Sequence, residues 1–360
     1  MQSSRARLVT LPKPNTAMNL PPLLADLTII DITRHLPGPF ASQMLCDLGA
    51  HIIKLEPPEG DPSRTIGHLF QAVNRNKELR TLDLKQAAGR GELRKLLTTA
   101  DVFLEGFRPG VMHAMGLDFK ALQQLNPKLV MCSITGYGQS GVMSDKAGHD
   151  LNFMAMAGIL DQQRSLQGQP IMANIQWGDL AGGSAMAVIG ILAGVIHAQK
   201  TGQACYVDVS MTHGLWAQQL VPPATGALTS VLLGRMPGAG EDLLNGGLPC
   251  YNLYTTQDQR TLAVAALELK FWRLFSYTVG KPEWANLHWS QGLVMNSAAS
   301  NTLKEQVAAL IQQKPLAEWQ ALFAEVDACV TPVLSLAEAQ EHALFQAERQ
   351  PWKIHTVPLH

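Results

Sequence analysis

The sequence predicts an α/β fold in which a mostly parallel sheet is followed by a smaller α+β domain. From residue 27 to about residue 211, short apolar strand-like runs alternate with helix-like segments, which is typical of a parallel sheet covered by helices. A stretch rich in Pro, Gly, Ala and Leu then breaks the pattern, and a hairpin-like segment with amphipathic helices follows it. The 360 residues, 46% of them hydrophobic, suffice for about two domains with buried cores.

Five apolar runs are the predicted strands of the first domain. They are Leu27–Ile32, His51–Glu56, Asp101–Phe107, Leu129–Thr135 and Cys205–Ser210. Between the first two runs, Phe40, Met44 and Leu48 recur at helical spacing, so we predict a helix over Gly38–Gly49 that ends at a C-cap glycine. A strand, a helix and a second strand in this order form one parallel crossover unit.

The second domain is predicted from a hairpin and three helices. Strands at Tyr251–Tyr254 and Thr261–Ala266 flank a turn-like segment at residues 255–259. The three amphipathic helices are expected near Leu267–Val279, Asn301–Gln313 and Pro315–Val326. We therefore place an N-terminal extension at residues 1–20, a large α/β domain at 21–220, a linker at 221–242 and the small domain at 243–328.

The charge balance excludes a general attraction to polyanions. Lys and Arg number 28 against 29 Asp and Glu, so we expect neither nucleic acid nor a membrane as partner, and an anionic ligand needs a local cluster of bases. The five cysteines are scattered without a close metal-type pair, which indicates reduced thiols, no metal site and a cytoplasmic protein. The uncharged stretch Ala181–Ala198 is almost long enough to cross a bilayer, but its Ala, Gly and Ser content favours a buried helix.

Three places carry side chains suited to proton transfer. His149 and Asp150 follow a glycine at the start of a helix-like run, where the imidazole could shuttle a proton. Asp179 precedes a run of small residues that would let a ligand approach closely. Glu268 stands alone in an apolar run and could be a buried carboxylate paired with a base. Each place has a structural alternative, which is N-capping for Asp150 and Asp179 and a solvated helix position for Glu268.

Basic residues form a fourth constellation. Lys54 ends a predicted strand, Arg75 and Lys77 lie in a short polar segment, and Arg108 follows another strand. Because the ends of neighbouring parallel strands face one crevice, these bases could hold the phosphates of a nucleotide-like ligand. The alternative is ordinary solvated surface charge. The sequence contains no GxxxxGK phosphate loop.

Taken in order, several segments resemble the family III CoA-transferases, the CaiB/BaiF-type superfamily that includes α-methylacyl-CoA racemases. The matching segments are Gly38–Phe40, Asp47–Glu56, Asn74–Lys77, Glu105–Gly110, Ile134–Gly138, Gly148–Phe153, Gly178–Ser184 and Tyr206–Met211. The resemblance implies a discontinuous large domain with a Rossmann-like sheet, to which residues 329–360 return, and an interlocked homodimer. It also implies an acyl-CoA thioester as substrate and no separate cofactor, since CoA enters as part of that substrate.

The resemblance further implies roles for the candidate residues. In the transferases the aspartate that matches Asp179 is a nucleophile, whereas in the racemases it shares acid/base work with a histidine that matches His149. Glu268 resembles the carboxylate that pairs with this histidine, and the backbone N–H of Asp150 is the expected donor to the enolate oxygen. Tyr137 joins Lys54, Arg75 and Arg108 as an expected CoA contact.

Because all of these residues are present, we favour a racemase that inverts the α-carbon of a 2-methyl-branched acyl-CoA. The second hypothesis is a CoA-transferase that works through an aspartyl-CoA intermediate. The third is a catalytically silent acyl-CoA-binding homologue.

Overall fold

The protein is described by a computed structural model that covers residues 22–165 and 168–347. These residues form two compact units. The first unit contains residues 22–158 and 173–218, and the second contains residues 159–172 and 219–347 apart from the gap at 166–167. The predicted N-terminal extension, residues 1–20, lies outside the described residues.

A six-stranded parallel sheet forms the centre of the first unit. Its strands are β1 (Thr28–Asp31), β2 (His51–Glu56), β3 (Glu78–Thr81), β4 (Val102–Glu105), β5 (Val130–Thr135) and β6 (Cys205–Ser210). They are arranged in the order β3-β2-β1-β4-β5-β6, and every neighbouring pair is parallel. The predicted α/β class and all five predicted strands are therefore confirmed. The sequence prediction missed β3, because this edge strand is mostly exposed and has no apolar run.

The central strands are buried on both faces, which is why their sequences read as continuous apolar runs. Residues 102–105 of β4 and residues 130–135 of β5 are all buried, as are residues 29–31 of β1. Since β1, β4 and β5 are adjacent and parallel, the loops that follow them emerge at the same edge of the sheet.

Helices cover this sheet and make up most of the second unit. In chain order they are α1 (Pro37–Asp47), α2 (Leu69–Asn74), α3 (Ala87–Leu97), α4 (Val111–Ala114), α5 (Phe119–Leu125), α6 (Asp150–Met156), α7 (Ile159–Gln162), α8 (Met186–Thr201), α9 (Met211–Gln218), α10 (Val221–Leu233), α11 (Leu269–Thr278), α12 (Ala298–Ile311), α13 (Leu316–Phe323), α14 (Leu336–Glu341) and α15 (Ala343–Ala347). Helix α1 agrees with the predicted helix, and Gly49 follows its end with a φ of 102° that favours glycine.

One helical segment is long and apolar enough to span a membrane by length and composition alone. It runs over Gly178–Thr201, and its most apolar stretch of 18 residues has a mean hydropathy of 1.8. Of that stretch, 39% is buried inside the protein. The core helix of a folded domain passes the same test. Here Gly190 and Gly194 bring α8 into contact with Val207 on β6 and Val130 on β5.

The second unit contains a three-stranded antiparallel sheet and its own apolar core. Strands β7 (Tyr251–Thr255) and β8 (Thr261–Ala265) form the predicted hairpin, and β9 (Val330–Pro332) pairs with the other side of β8. Helices α11 to α13 lie at the three places predicted from sequence. Their aromatic side chains fill the core, where Phe275 stacks between Trp272 and Phe323.

The domain boundaries differ from the sequence prediction in three places. The predicted linker at 221–242 begins with helix α10, because its prolines lie in the first turn, where a helix needs no N–H donor. Residues 329–347 belong to the second unit, since β9 pairs with β8, and do not return to the large domain. Residues 159–172, predicted within the large domain, also belong to the second unit. The rest of the predicted return, residues 348–360, lies outside the described residues.

Candidate active site

The loops after β1, β4 and β5 border a cleft of about 670 Å³ in the first unit. Residues 32–35, Pro37 and Gly38 line one side of it, and Phe107 and Arg108 follow from the end of β4. Tyr137 comes from the segment after β5. His149 and Asp179, two of the residues predicted from sequence to transfer protons, line the same cleft.

His149 and Asp150 mark the N-terminus of α6. His149 is the N-cap residue, with an extended backbone, and its N–H donates to Asn152 Oδ1 at 3.1 Å. Its side chain is exposed to the cleft. The N–H of Asp150, in the first helical turn, has no acceptor among the described residues, as helix geometry leads one to expect. This N–H is therefore available to a ligand oxygen.

The Asp150 carboxylate does not cap its own helix but holds the segment that carries Asp179. Asp150 Oδ1 accepts the Asp179 N–H at 3.0 Å, and the N–H of Gly178 donates to the same carboxylate. Burial raises the pKa of Asp150, although these two backbone donors lower it in part. The structural alternative, N-capping, is therefore correct for Asp150. Asp150 caps the segment that begins at Gly178, however, and not its own helix α6.

Asp179 stands in the first turn of a wide, π-helical segment, Gly178–Ala185, which continues into α8. Its half-buried carboxylate accepts no hydrogen bond from the described residues. Burial, and secondarily the nearby Asp150 carboxylate, raise the pKa of Asp179 to about 7. A carboxyl group with this pKa can both give and take a proton near neutral pH.

Ser184 joins two walls of the cleft, and the sequence analysis missed it. Its buried hydroxyl lies 2.7 Å from the carbonyl oxygen of Pro37 and 2.9 Å from that of Asp179. The loop before α1 is thereby tied to the segment that carries Asp179. The sequence feature that could have indicated this role is a serine within a run of small apolar residues.

The structure places Glu268 in the second unit. It is the exposed N-cap residue of α11. The carbonyl oxygen of Leu267, the preceding residue, accepts a hydrogen bond from Trp289 Nε1 at 2.8 Å, and His288 Nε2 lies 3.0 Å from it. Two side chains therefore fix the backbone next to Glu268.

Of the four expected CoA contacts, Arg108 and Tyr137 line the cleft. Lys54 is a correction, because its side chain is fully buried and its ammonium lies 3.5 Å from Asp31 and 3.7 Å from Asp61. Lys54 lies within β2, where residues 52–56 are buried on both faces of the sheet, so a phosphate cannot reach this ammonium. Arg75 pairs instead with Asp47 and is absent from the cleft lining.

Two further charged groups of the first unit are buried: Lys77, which the sequence analysis placed among the phosphate-binding bases, and Glu105, which it did not assign. Lys77 is buried and donates to Pro39 O and Ser42 Oγ, both at 2.8 Å. Glu105, at the end of β4, is buried and accepts the Phe107 N–H at 2.7 Å. Burial raises the pKa of Glu105 to about 7. Within residues 22–165 and 168–347, no group of three His, Cys, Asp or Glu side chains is placed to hold a metal ion.

The sequence profile of CoA-transferase family III matches residues 24–356 of this chain. The chain belongs to CoA-transferase family III. The resemblance inferred from the sequence segments is therefore confirmed.

Similar members of CoA-transferase family III include two kinds of enzyme. The α-methylacyl-CoA racemase of Mus musculus is 34% identical over 328 residues, which cover 89% of this chain and 80% of the racemase. The succinyl-CoA:glutarate CoA-transferase of Homo sapiens is 33% identical over 255 residues, which cover 68% of this chain and 57% of the transferase. A CaiB/BaiF family protein from Brucella suis has the same fold, with a TM-score of 0.75 and 27% identity over 92% of this chain and 88% of its own.

In this family III chain the cleft therefore combines three chemical functions. The Asp179 carboxyl group, with its pKa of about 7, and the His149 imidazole can exchange protons with a substrate. The N–H of Asp150, which has no acceptor in the part of the chain that the structure describes, can stabilise a developing negative charge at a helix N-terminus. Arg108 supplies a cation at the cleft wall for an anionic group of the ligand.

Proposed function

We propose that this chain is a racemase that inverts the α-carbon of a 2-methyl-branched acyl-CoA by proton transfer through an enolate. The observation that carries the proposal is the presence of His149 and Asp179 in one cleft. Inversion needs a base on one face of the α-carbon and an acid on the other, and these two side chains supply that pair.

In the proposed reaction, one of the two groups removes the α-proton, and the electron pair of the broken C–H bond moves into the enolate. The N–H of Asp150 donates to the enolate oxygen, where the negative charge develops. The other group then gives its proton to the opposite face of the same carbon. Because Asp179 has a pKa of about 7, it can start the reaction in either protonation state.

Three parts of the proposal rest on the family resemblance. Glu268 is the carboxylate that orients the His149 imidazole and stabilises its cationic form. The functional form is a homodimer, and its substrate is an acyl-CoA thioester that needs no separate cofactor. We also retain the expectation of a cytoplasmic protein with no membrane or nucleic acid partner.

A second candidate function is CoA transfer through an acyl-aspartyl and then an aspartyl-CoA intermediate. The observation that favours it is the Asp179 carboxylate itself, which no described residue hydrogen-bonds and which small residues such as Gly182 and Gly183 follow. The similarity to the human transferase points to the same chemistry.

The deciding experiment follows the α-hydrogen of (R)- and (S)-2-methylacyl-CoA in deuterated water. Deuterium uptake with inversion supports racemisation. Loss of thioester that requires an added acceptor acid, together with an adduct on Asp179 that hydroxylamine traps, supports transfer. Retained CoA binding without either reaction supports the silent homologue.

Two substitutions then test the assignment of the acid and the base. His149→Ala and Asp179→Ala should each lower the inversion rate at least about 100-fold, as expected for a lost acid/base group. His113→Ala is the matched control, because His113 is exposed in the same unit and pairs with Asp118 outside the cleft. Inversion at the parent rate by His149→Ala would show the two-base assignment to be wrong.

A further inference from the structure

Arg34 lies in the segment between β1 and α1 and lines the same cleft as His149 and Asp179. Its guanidinium carbon lies 5.4 Å from the centre of the Phe107 ring, and Arg108 is the next residue along the chain. Neither Arg34 nor Arg108 forms an ion pair within the part of the chain that the structure describes. Two guanidinium groups without an ion pair among the described residues therefore line one cleft, and one of them lies over the Phe107 ring.

The backbone on both sides of Arg34 is held by buried charged groups. The N–H of Thr33 donates to Asp31 Oδ1 at 2.8 Å, and the carbonyl oxygen of Thr33 accepts from the Lys54 ammonium. The N–H of His35 donates to Asp61 Oδ1 at 3.2 Å.

His35 adopts a φ of 66°, which is unusual for a residue other than glycine. Such a conformation persists only when its surroundings enforce it. The buried charges thus hold the Arg34 backbone in place before any ligand arrives, which lowers the entropy lost on binding.

The chemistry of the cleft indicates what Arg34 binds. A guanidinium group offers a planar fork of donors that matches a phosphate. These donors are available to the phosphate when no carboxylate of the protein already occupies them. The buried Lys54 cannot serve this purpose, so other cations must face any phosphate in the cleft.

We propose that Arg34 is a further binding residue of this cleft and that, with Arg108, it contacts a phosphate group of CoA. The inference rests on the proposed acyl-CoA substrate. It assigns to Arg34 affinity for the nucleotide-bearing part of CoA rather than a role in proton transfer.

Calorimetry with CoA and with pantetheine, which lacks the phosphates, tests the proposal. Arg34→Gln should raise the dissociation constant for CoA at least about 10-fold, the usual effect of losing a charge-assisted hydrogen bond. The affinity for pantetheine should stay unchanged, and Arg34→Lys should recover part of the CoA affinity. Arg80→Gln, which removes one positive charge outside the cleft lining, should bind CoA like the parent.

Three results would overturn the proposal. The first is a CoA affinity of Arg34→Gln equal to that of Arg80→Gln. The second is an equal loss of pantetheine affinity, which would indicate a structural effect. The third is a loss seen only with a carboxyacyl-CoA and not with free CoA, which would assign the anion to an acyl carboxylate.

The same titrations separate this inference from the proposed function. A parent protein that binds CoA but does not exchange the α-hydrogen contradicts racemisation, while the comparison of the Arg34 variants still decides the role of Arg34. A parent protein that does not bind CoA overturns both proposals.

Discussion

Asp150 and Asp179 are neighbouring carboxylates, and the first holds the backbone of the second. Asp150 fixes the backbone of Asp179 through the N–H it accepts at 3.0 Å, and its charge helps to raise the pKa of Asp179. The larger cause of that raised pKa is burial, which disfavours the ionised form. Burial is therefore the main cause of the raised pKa of Asp179, whereas Asp150 fixes its position and adds to that pKa.

We predict that Asp179→Asn stabilises the folded chain at alkaline pH. The folded pKa of about 7 lies above the ordinary value of 3.8. The contribution of Asp179 to the free energy of unfolding is therefore fully present below about pH 4, where the carboxyl group is protonated, and is lost as the pH rises through 7. At pH 8 the substitution removes a desolvated negative charge and should raise the free energy of unfolding by up to about 4 kcal/mol. Urea titrations at pH 4 and pH 8 measure this difference.

Asp145→Asn is the control, since Asp145 is largely exposed beside Lys146. It should change the free energy of unfolding by less than about 0.5 kcal/mol at either pH. An Asp179→Asn variant with the same stability difference from the parent at both pH values would contradict the raised pKa.

At the scale of elements, the segment that carries Asp179 packs unusually close to α9. A Cβ atom added at Gly182 would lie 2.3 Å from the carbonyl oxygen of Met211, and one added at Gly214 would lie 2.3 Å from that of Gly182. Only glycine allows two helical segments to approach so closely. The wide π-helical turn at Gly178–Ala185 lies at this contact.

We predict that Gly182→Ala destabilises the first unit by about 1–3 kcal/mol, because the backbones must separate to admit the methyl group. It should also lower the turnover number, since Asp179 moves with the same segment. Thermal unfolding and the α-hydrogen exchange assay measure the two effects.

Gly91→Ala is the matched control, because Gly91 lies within α3 and an added Cβ would meet no heavy atom within 4 Å. This substitution should stabilise the chain by up to about 1 kcal/mol through helix propensity. Equal stability changes in the two alanine variants would contradict the close helix contact.

At the scale of the whole molecule, a buried cluster of charges supports the edge of the sheet that carries the cleft. Asp31 lies 3.5 Å from the Lys54 ammonium and 3.6 Å from that of Lys77, and all three side chains are fully buried. Burial alone would raise the pKa of Asp31, but the two ammonium groups and the hydroxyl donors Ser42 and Thr33 hold it below its ordinary value.

We predict that Asp31→Asn destabilises the chain by about 3–5 kcal/mol at pH 7, because it leaves buried cations without their shared partner. The lowered pKa of Asp31 means that its contribution is present above its ordinary value of 3.8 and is lost only as the pH falls through the folded value. The difference between parent and variant should therefore shrink in acid. Chemical unfolding at pH 7 and pH 3 measures it.

Asp26→Asn is the control for this prediction, since Asp26 lies on the surface before β1. It should leave the free energy of unfolding nearly unchanged at both pH values. A parent-like stability of Asp31→Asn at pH 7 would show that the cluster does not support the fold.

The sequence by itself determined the family, the α/β class and five of the six parallel strands. These features depend on local patterns, because a strand buried on both faces must be apolar along its length. The edge strand β3 escaped prediction because its exposed side chains need no such pattern. Helix α10 was not predicted, because Pro and Gly in its sequence were interpreted as a linker. In the structure the prolines lie in the first helical turn, where they are compatible with a helix.

Only the tertiary structure decided what surrounds each charged side chain. Lys54 and Arg108 both follow or end strands in the sequence, yet one is buried between Asp31 and Asp61 and the other lines the cleft. Likewise, Asp150 caps a segment 29 residues further along the chain rather than its own helix. Burial and pairing depend on residues that are distant in sequence, so periodicity could indicate the candidates but not their partners.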